Sequence, residues 1–200
     1  VSLQLEALAD VVPDGEAAEL VAKTRDEVDG ISAVFHSLLQ LTQVENGALK
    51  AQFTPVDLAA LCRTMVEVYE PSAALRAQTL VYEGPESLKV SGEKTLLGQM
   101  LANLLENALR HTGEGAAINV GLGVTEHGVK LIVADNGPGI PEDERGRVTQ
   151  RLYRLDRSRN TVGNGLGLSL VEAVARLHGA DLLFEDAEPG LRVVLQFSPE

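Results

Sequence analysis

The helix-forming run from 94 to 111, KTLLGQMLANLLENALRH, constrains the fold more than any other segment of the chain. At about 100° per residue, Leu97, Leu101, Leu104, Leu105 and Ala108 gather on one side, which a core must cover. The other side offers Asn103 and Asn107, about 40° apart on the helical wheel, followed by Arg110 and His111. Asparagine is a mediocre helix former because its amide competes for backbone hydrogen bonds. Two of them one turn apart in a leucine-rich helix therefore call for a reason. An amide oxygen can ligate Mg²⁺, an amide nitrogen can donate to phosphate, and Arg110 suits phosphate oxygens. Taken alone, the same face also reads as solvated or capping asparagines beside an ordinary Glu106–Arg110 i,i+4 pair.

The rest of the composition limits what can surround that helix. Two hundred residues suggest one medium domain, or one domain with an appendage. At 44% hydrophobic and 23% charged the chain can build a core, so wholesale disorder is not expected. A net charge of -12 argues against nonspecific binding to nucleic acid or anionic membrane. The single cysteine, Cys62, excludes an intrachain disulfide and a zinc–cysteine cluster. It reads as a small core residue and fits a reducing compartment. No apolar run approaches the roughly 20 residues that span a bilayer, and no signal peptide opens the chain. The expectation is a soluble piece, and the uncapped helical pattern at its start suggests a fragment.

Residues 1–9 read as the end of a helix and 10–15 as a break carrying Pro13 and Gly15. From about Glu16 to Glu45 runs a long amphipathic pattern: Leu20, Thr24, Val28, Ile31, Phe35, Leu38, Thr42 and Glu45 step by three or four. It ends at Asn46-Gly47. A helical hairpin with such a seam pairs with a partner helix or another subunit, or packs on its own domain. Past Gly47 the pattern changes. β-like runs (52–58, 78–84, 117–124, 128–135, 180–186 and 191–197) alternate with helical stretches near 57–75, 93–111 and 166–178. Glu126-His127-Gly128 joins two of the runs as a hairpin. The expected fold class is α+β, a two-layer sandwich with helices on one face of a mixed sheet. A partial helical hairpin over 1–50 should precede a domain over 53–200.

Three further segments carry chemistry. In DNGPGIP, Asp135 ends a strand; Gly137 and Gly139 let the backbone turn and approach a ligand, and the prolines stiffen the loop. A buried carboxylate there can accept from an exocyclic amine such as adenine's. The plainer reading is an Asp-Asn-Gly turn. In GNGLGLSLV, Gly163, Gly165 and Gly167 lead into a helix N-terminus, whose N–H groups and dipole favour an anion. It does not follow a strand in a βαβ unit, so a Rossmann reading fails, and it lacks the Gly-Lys-Ser/Thr of a P-loop. Between them, Arg147, Arg151, Arg154, Arg157 and Arg159 form a basic patch. The patch suits a mobile lid over triphosphate, or a solvated loop.

In their order, these segments resemble the N, G1, F and G2 boxes of the sensor histidine kinase catalytic domain, of the Bergerat-type ATP-binding fold shared with Hsp90, DNA gyrase B and MutL. The likeness covers about residues 53–200, and the closing DAEPGLRVVLQF resembles the last hairpin of many such domains. The preceding hairpin looks like the end of their dimerisation and phosphoacceptor domain. The resemblance implies that Asn107 ligates Mg²⁺ and that Asn103 lines the same site. Arg110, His111 and Arg157 would lie near the phosphates of ATP, with Asn103 and Arg110 catalytic. Asp135 would hold the adenine amine, framed by Gly137, Gly139 and Ile140. Gly163, Gly165, Leu166, Gly167 and Leu168 would wrap the phosphates and hinge the lid. It further implies transfer of the γ-phosphoryl to a histidine outside this chain and then to a response-regulator aspartate. A homodimer through the hairpin and a cytoplasmic position in a membrane sensor protein also follow.

Two departures stand out. Thr149 and Leu152 occupy the positions of the F-box phenylalanines, and the phosphoacceptor motif is missing. His36 lies on the wrong helix with no acid or proline after it, so it reads as a surface residue, and His127 and His178 read as structural. A nucleotide-binding regulatory module without transfer is the alternative. An ATPase or serine-directed kinase of the same fold is a third reading. The amide at 103, where Hsp90-like ATPases carry a glutamate base, speaks against hydrolysis.

Overall fold

The computed structural model describes residues 15–45, 53–155 and 165–199. The expected helix end over 1–9, the Asn46-Gly47 stop, most of the 47–53 boundary, Arg157, Arg159 and Gly163 fall outside the described residues. A long helix, α1 (Glu16–Glu45), comes first. Then follow β1 (Thr54–Asp57), α2 (Leu58–Ala74), β2 (Thr79–Glu83), β3 (Lys89–Gly92), α3 (Lys94–His111), β4 (Ala117–Thr125) and β5 (Gly128–Asp135). A single-turn helix, α4 (Glu142–Arg145), then α5 (Gly167–Leu177), β6 (Ala180–Asp186) and β7 (Leu191–Phe197) complete the order.

Five strands form one mixed sheet in the order β2-β4-β5-β7-β6. β2 and β4 run parallel; the other neighbours are antiparallel. Alternation along the strands sends Ile118, Val120, Leu122, Leu131, Val133, Val193 and Leu195 to the core, as a half-covered sheet requires. α2, α3 and α5 form the second layer. The expected two-layer α+β class and the 117–135 hairpin are both present. β3 carries no run long enough to stand out in the sequence. Only its antiparallel register with β1, in a separate two-stranded sheet, defines it.

α3 forms because its periods agree. Glu93 caps its start by accepting from Thr95 and Leu96 N–H (3.1 and 2.7 Å), and Arg110 and His111 sit favourably in its last turn. All five apolar positions expected to face inward are buried, with Leu97, Leu101 and Leu105 fully so. Each buried leucine contributes about 1.5–3 kcal/mol. The helix is therefore locked in rotation, and its polar face must point away from the sheet.

α1 carries a second apolar stripe besides its expected seam. Leu20, Ile31 and Phe35 of that seam are exposed, and Thr24 and Thr42 turn their hydroxyls onto the carbonyls of Leu20 and Leu38. Leu41 and Val44, on a different face, are buried, and α1 packs against α5. The last turns of α1 thus belong to the domain's core, while Leu20, Ile31 and Phe35 of the seam stay uncovered in the single chain and Val28 and Leu38 are half-buried.

Candidate functional site

The polar face of α3 is where three segments meet. Asn103 donates from Nδ2 to the Gln99 carbonyl at 2.8 Å, which pins its amide and leaves Oδ1 directed at the start of α5. A Cβ placed on Gly167 would lie 2.9 Å from that oxygen. Asn107 is half-buried, and its amide makes no hydrogen bond among the described residues. Arg110 is exposed and stands 4.0 Å from Glu106, a pairing of little strength at that exposure. Glu106 also accepts from the Tyr69 hydroxyl at 2.8 Å; burial, together with this carboxylate, pushes the Tyr69 pKa far up. His111 is half-buried, and burial, with Arg110 and Arg154 adding, lowers its pKa from the ordinary 6.5. The imidazole is therefore neutral at pH 7.

The second segment leaves the sheet at the end of β5. Asp135 Oδ1 accepts from Gly137 N–H (2.9 Å) and Leu191 N–H (3.4 Å). Among the described residues Oδ2 has no hydrogen-bond partner. Burial raises the Asp135 pKa, partly offset by these two N–H groups. The Asp-Asn-Gly turn and the half-buried acceptor are thus one structure: one oxygen shapes the turn and the other is left over. Gly137 abuts the Thr112 methyl, where a Cβ would come within 2.8 Å, and so joins the loop to the end of α3. Gly139 has φ +64 and packs on the Gly190 carbonyl, leaving no room for a side chain. Ile140 is buried behind it.

The third segment is the start of α5. Leu166 is buried, and among the described residues no side chain caps the helix. Ser169 donates to the Leu166 carbonyl and does not accept from the first N–H groups. Among the described residues, the first turn therefore keeps its N–H donors and positive dipole end uncapped by side chains. Gly165, at φ +65, lies against the backbone of Leu152 and Tyr153, and Leu152 N–H donates to its carbonyl at 2.9 Å. That contact draws the basic stretch toward the site and sets Arg154 near His111.

Most of the expected residues converge. Asn103, Asn107, Arg110 and His111 share one face, Gly137 meets the end of α3, and Gly167 meets Asn103. Leu168 follows in the first turn of α5, half-buried. At the F-box positions, Thr149 donates to Glu172 of α5 at 3.2 Å, while Leu152 is exposed with φ +62. Tyr153 does the anchoring instead. Its ring packs against the core and beneath the Arg147 guanidinium (4.6 Å), and its hydroxyl donates to Glu144. His127 sits exposed in the β4–β5 turn, as expected of a structural residue.

Sequence reasoning missed the backing of this site. A Cβ on Gly190 would collide with the Asp135 carbonyl oxygen, so the β6–β7 turn holds the Asp135 loop from behind. Gln78, buried, donates from Nε2 to Thr112 Oγ1 at 2.8 Å and toward the last carbonyls of α3; Arg76 donates to the Leu109 carbonyl at 2.9 Å. A Glu-Pro-Gly turn and an Arg-Ala-Gln link carry no mark of these contacts. Arg154 was visible only as one of several arginines.

The donor set fits a magnesium–nucleotide. Among the described residues, an amide without a hydrogen-bond partner, a neutral imidazole under the charge of Arg110 and Arg154, and a half-buried carboxylate with one open oxygen lie on α3 and the loop that abuts its end, and α5 begins against Asn103 with no side-chain cap. Among the described residues there is no cluster of three His, Cys, Asp or Glu that could hold a metal by itself. A divalent ion here would take oxygen ligands from an amide and from phosphate.

A two-layer α/β domain with these converging loops defines a class of ATP-binding proteins. Residues 92–200 match the family described as histidine kinase-, DNA gyrase B- and HSP90-like ATPase, and the chain belongs to that family. Among curated proteins it is 33% identical over 182 residues to the signal transduction histidine-protein kinase BaeS of Escherichia coli (strain K12), covering 90% of this chain and 39% of that protein. It is 32% identical over 190 residues to the sensor protein CreC of the same strain, covering 93% and 40%. The chain thus spans well under half of these relatives. Among solved structures, the mycobacterial sensor histidine kinase MprB is similar at TM-score 0.65 and 28% identity, over 74% of this chain and 100% of that one. The catalytic domain of histidine kinase ThkA is similar at TM-score 0.67 and 27% identity, over 73% and 95%.

Proposed function

We propose that the chain is the ATP-binding catalytic part of a sensor histidine kinase. It would bind Mg²⁺–ATP and pass the γ-phosphoryl to a histidine outside this chain, from which a response-regulator aspartate receives it. The observation that carries the reading is the approach of Gly167 to Asn103 Oδ1: it joins an uncapped helix N-terminus to a face bearing two amides and an arginine.

In this reading Asn107 ligates Mg²⁺ and Asn103 lines the same site. Bound Mg²⁺ would offset charge between the phosphates. Asp135 Oδ2 accepts from the adenine amine, while Gly137, Gly139 and Ile140 frame the base. Gly163, Gly165, Leu166, Gly167 and Leu168 wrap the phosphates with backbone N–H groups. Arg110, His111, Arg157 and, added by its proximity to His111, Arg154 supply donors and positive charge to the phosphate oxygens. The protein's work is then positioning and electrostatic stabilisation. The acceptor imidazole attacks in line and needs no strong base near neutral pH. The amide at Asn103 cannot serve as a base for water, which favours transfer over hydrolysis.

The uncovered seam of Leu20, Ile31 and Phe35 supports dimerisation through a helical hairpin over residues 1–50, ahead of a catalytic domain over 53–200. No helix among the described residues is long and apolar enough to cross a membrane. We place this part on the cytoplasmic side of a membrane sensor protein, from the relatives' descriptions as sensors.

The exposed Leu152 and the polar Thr149 at the F-box positions favour a second reading, a nucleotide-binding regulatory module without transfer. Labelled ATP given to a chain extended upstream through its phosphoacceptor distinguishes them. An acid-labile phosphoprotein supports the kinase, and nucleotide binding without one supports the module. Hydrolysis far faster than phosphoprotein formation would indicate an ATPase.

A further inference from the structure

His178 closes α5 and touches three parts of the fold that the proposed site does not explain. Its Nδ1 lies 2.8 Å from the Val174 carbonyl, one turn back, so Nδ1 carries the proton and donates. That fixes the neutral tautomer with Nε2 as acceptor, and Nε2 accepts from the Glu93 backbone N–H at 3.1 Å. Glu93 is the N-cap of α3. The ring face stacks on Phe53, with centroids 4.6 Å apart and planes 17° from parallel. Gly92 has no room for a Cβ beside it, which would come within 2.6 Å of Cδ2.

Phe53 opens the described part of the domain, immediately before β1. α5 is therefore tied to α3 at both ends, by Gly167 on Asn103 and by His178 on Glu93, and it also carries the buried last turns of α1. A shift of α1 along α5, or of the chain leading into β1, bears on both ties.

We infer that His178 is a positioning residue: through Phe53 on one side and the Glu93 N–H on the other, it sets α3 against α5 and so the spacing of the nucleotide-binding face. This rests on the proposed nucleotide site and adds the route by which the helical part bears on it. A residue that only filled space would tolerate an aromatic replacement best. A positioning hydrogen bond requires an acceptor.

The test uses His178→Phe, which keeps the ring and loses the bonds, and His178→Gln, which keeps an acceptor and a donor and loses the ring. Both are compared with wild type for Mg²⁺–ATP affinity by calorimetry and for amide exchange at Glu93. The expected result is faster exchange at Glu93 and roughly three- to tenfold weaker binding in His178→Phe, the size of one neutral hydrogen bond. His178→Gln should restore most of both. Phe53→Ala should weaken binding although it lies on no nucleotide contact, and should add less than its full effect on top of His178→Phe. The inference is overturned by protected Glu93 exchange in His178→Phe, by better binding in His178→Phe than in His178→Gln, or by full additivity with Phe53→Ala. Failure of wild type itself to bind Mg²⁺–ATP would instead end the reading of the site, while the exchange measurement would still judge the His178–Glu93 tie.

Discussion

Asp135→Asn separates recognition from folding more cleanly than any other change at this site. Asparagine keeps an oxygen in the place of Oδ1, so the Gly137 and Leu191 N–H donors stay paired and the turn persists. What changes is the position of Oδ2, where an acceptor bearing charge becomes an NH₂ donor facing the adenine amine. A hydrogen bond to a charged group contributes about 1.5–3 kcal/mol, so ATP affinity should fall roughly tenfold to 150-fold. Stability should move the other way. Burial raises the Asp135 pKa, so at pH 7 the folded state holds an ionised carboxylate less comfortably than the unfolded chain does. That penalty grows as pH rises from the ordinary 3.8 through the folded value, and asparagine removes it. Calorimetric titration with Mg²⁺–ATP and Mg²⁺–GTP, beside urea denaturation at pH 7, reads both effects. Unchanged ATP affinity would refute the assignment of Oδ2 to the adenine amine. Equal loss for ATP and GTP would show that the carboxylate does not read the base.

Asn107→Ala removes the only amide proposed as a metal ligand and should abolish or severely weaken Mg²⁺–ATP binding in the same titration, with stability within about 0.5 kcal/mol of wild type as expected at a partly exposed site. Gly167→Ala adds a methyl 2.9 Å from Asn103 Oδ1, which the bond to Gln99 holds in place. It should lower nucleotide affinity and also the thermal midpoint, because the added methyl forces Asn103 or the start of α5 to shift against the bond to Gln99. Leu97→Ala should cost about 2–5 kcal/mol in urea denaturation, since Leu97 is fully buried under α3. His111, whose folded pKa is lowered, disfavours the proton in the folded state. Stability should therefore decline as pH falls from about 6.5 through the folded value, and His111→Gln should flatten that decline.

The N-box helix was legible because two periodicities coincide in one segment: apolar residues at three and four, and amides four apart. Burial then follows from rotation alone, and all five leucine and alanine positions lie where the helical wheel puts them. The glycine loops were legible because positive φ at Gly139 and Gly165 selects glycine. In α1 the sequence showed one of two stripes. Its seam residues Leu20, Ile31 and Phe35 remain exposed, while Leu41 and Val44, off that seam, meet α5; a helix with two partners carries two stripes that blur each other. β3 was missed because four residues carry too little alternation to register.

By itself the sequence determined the layering, the apolar and polar sides of α3, and the order of loops able to meet a phosphate and a purine. These depend on spacing within one element, which local geometry converts directly into a face. Only the tertiary structure decided that Gly190 backs Asp135, that Gln78 holds Thr112 and that His178 grips Glu93. Such contacts join residues as far as 85 positions apart. They arise from how the layers close, and no repeat in the chain records which distant backbone group a side chain will reach.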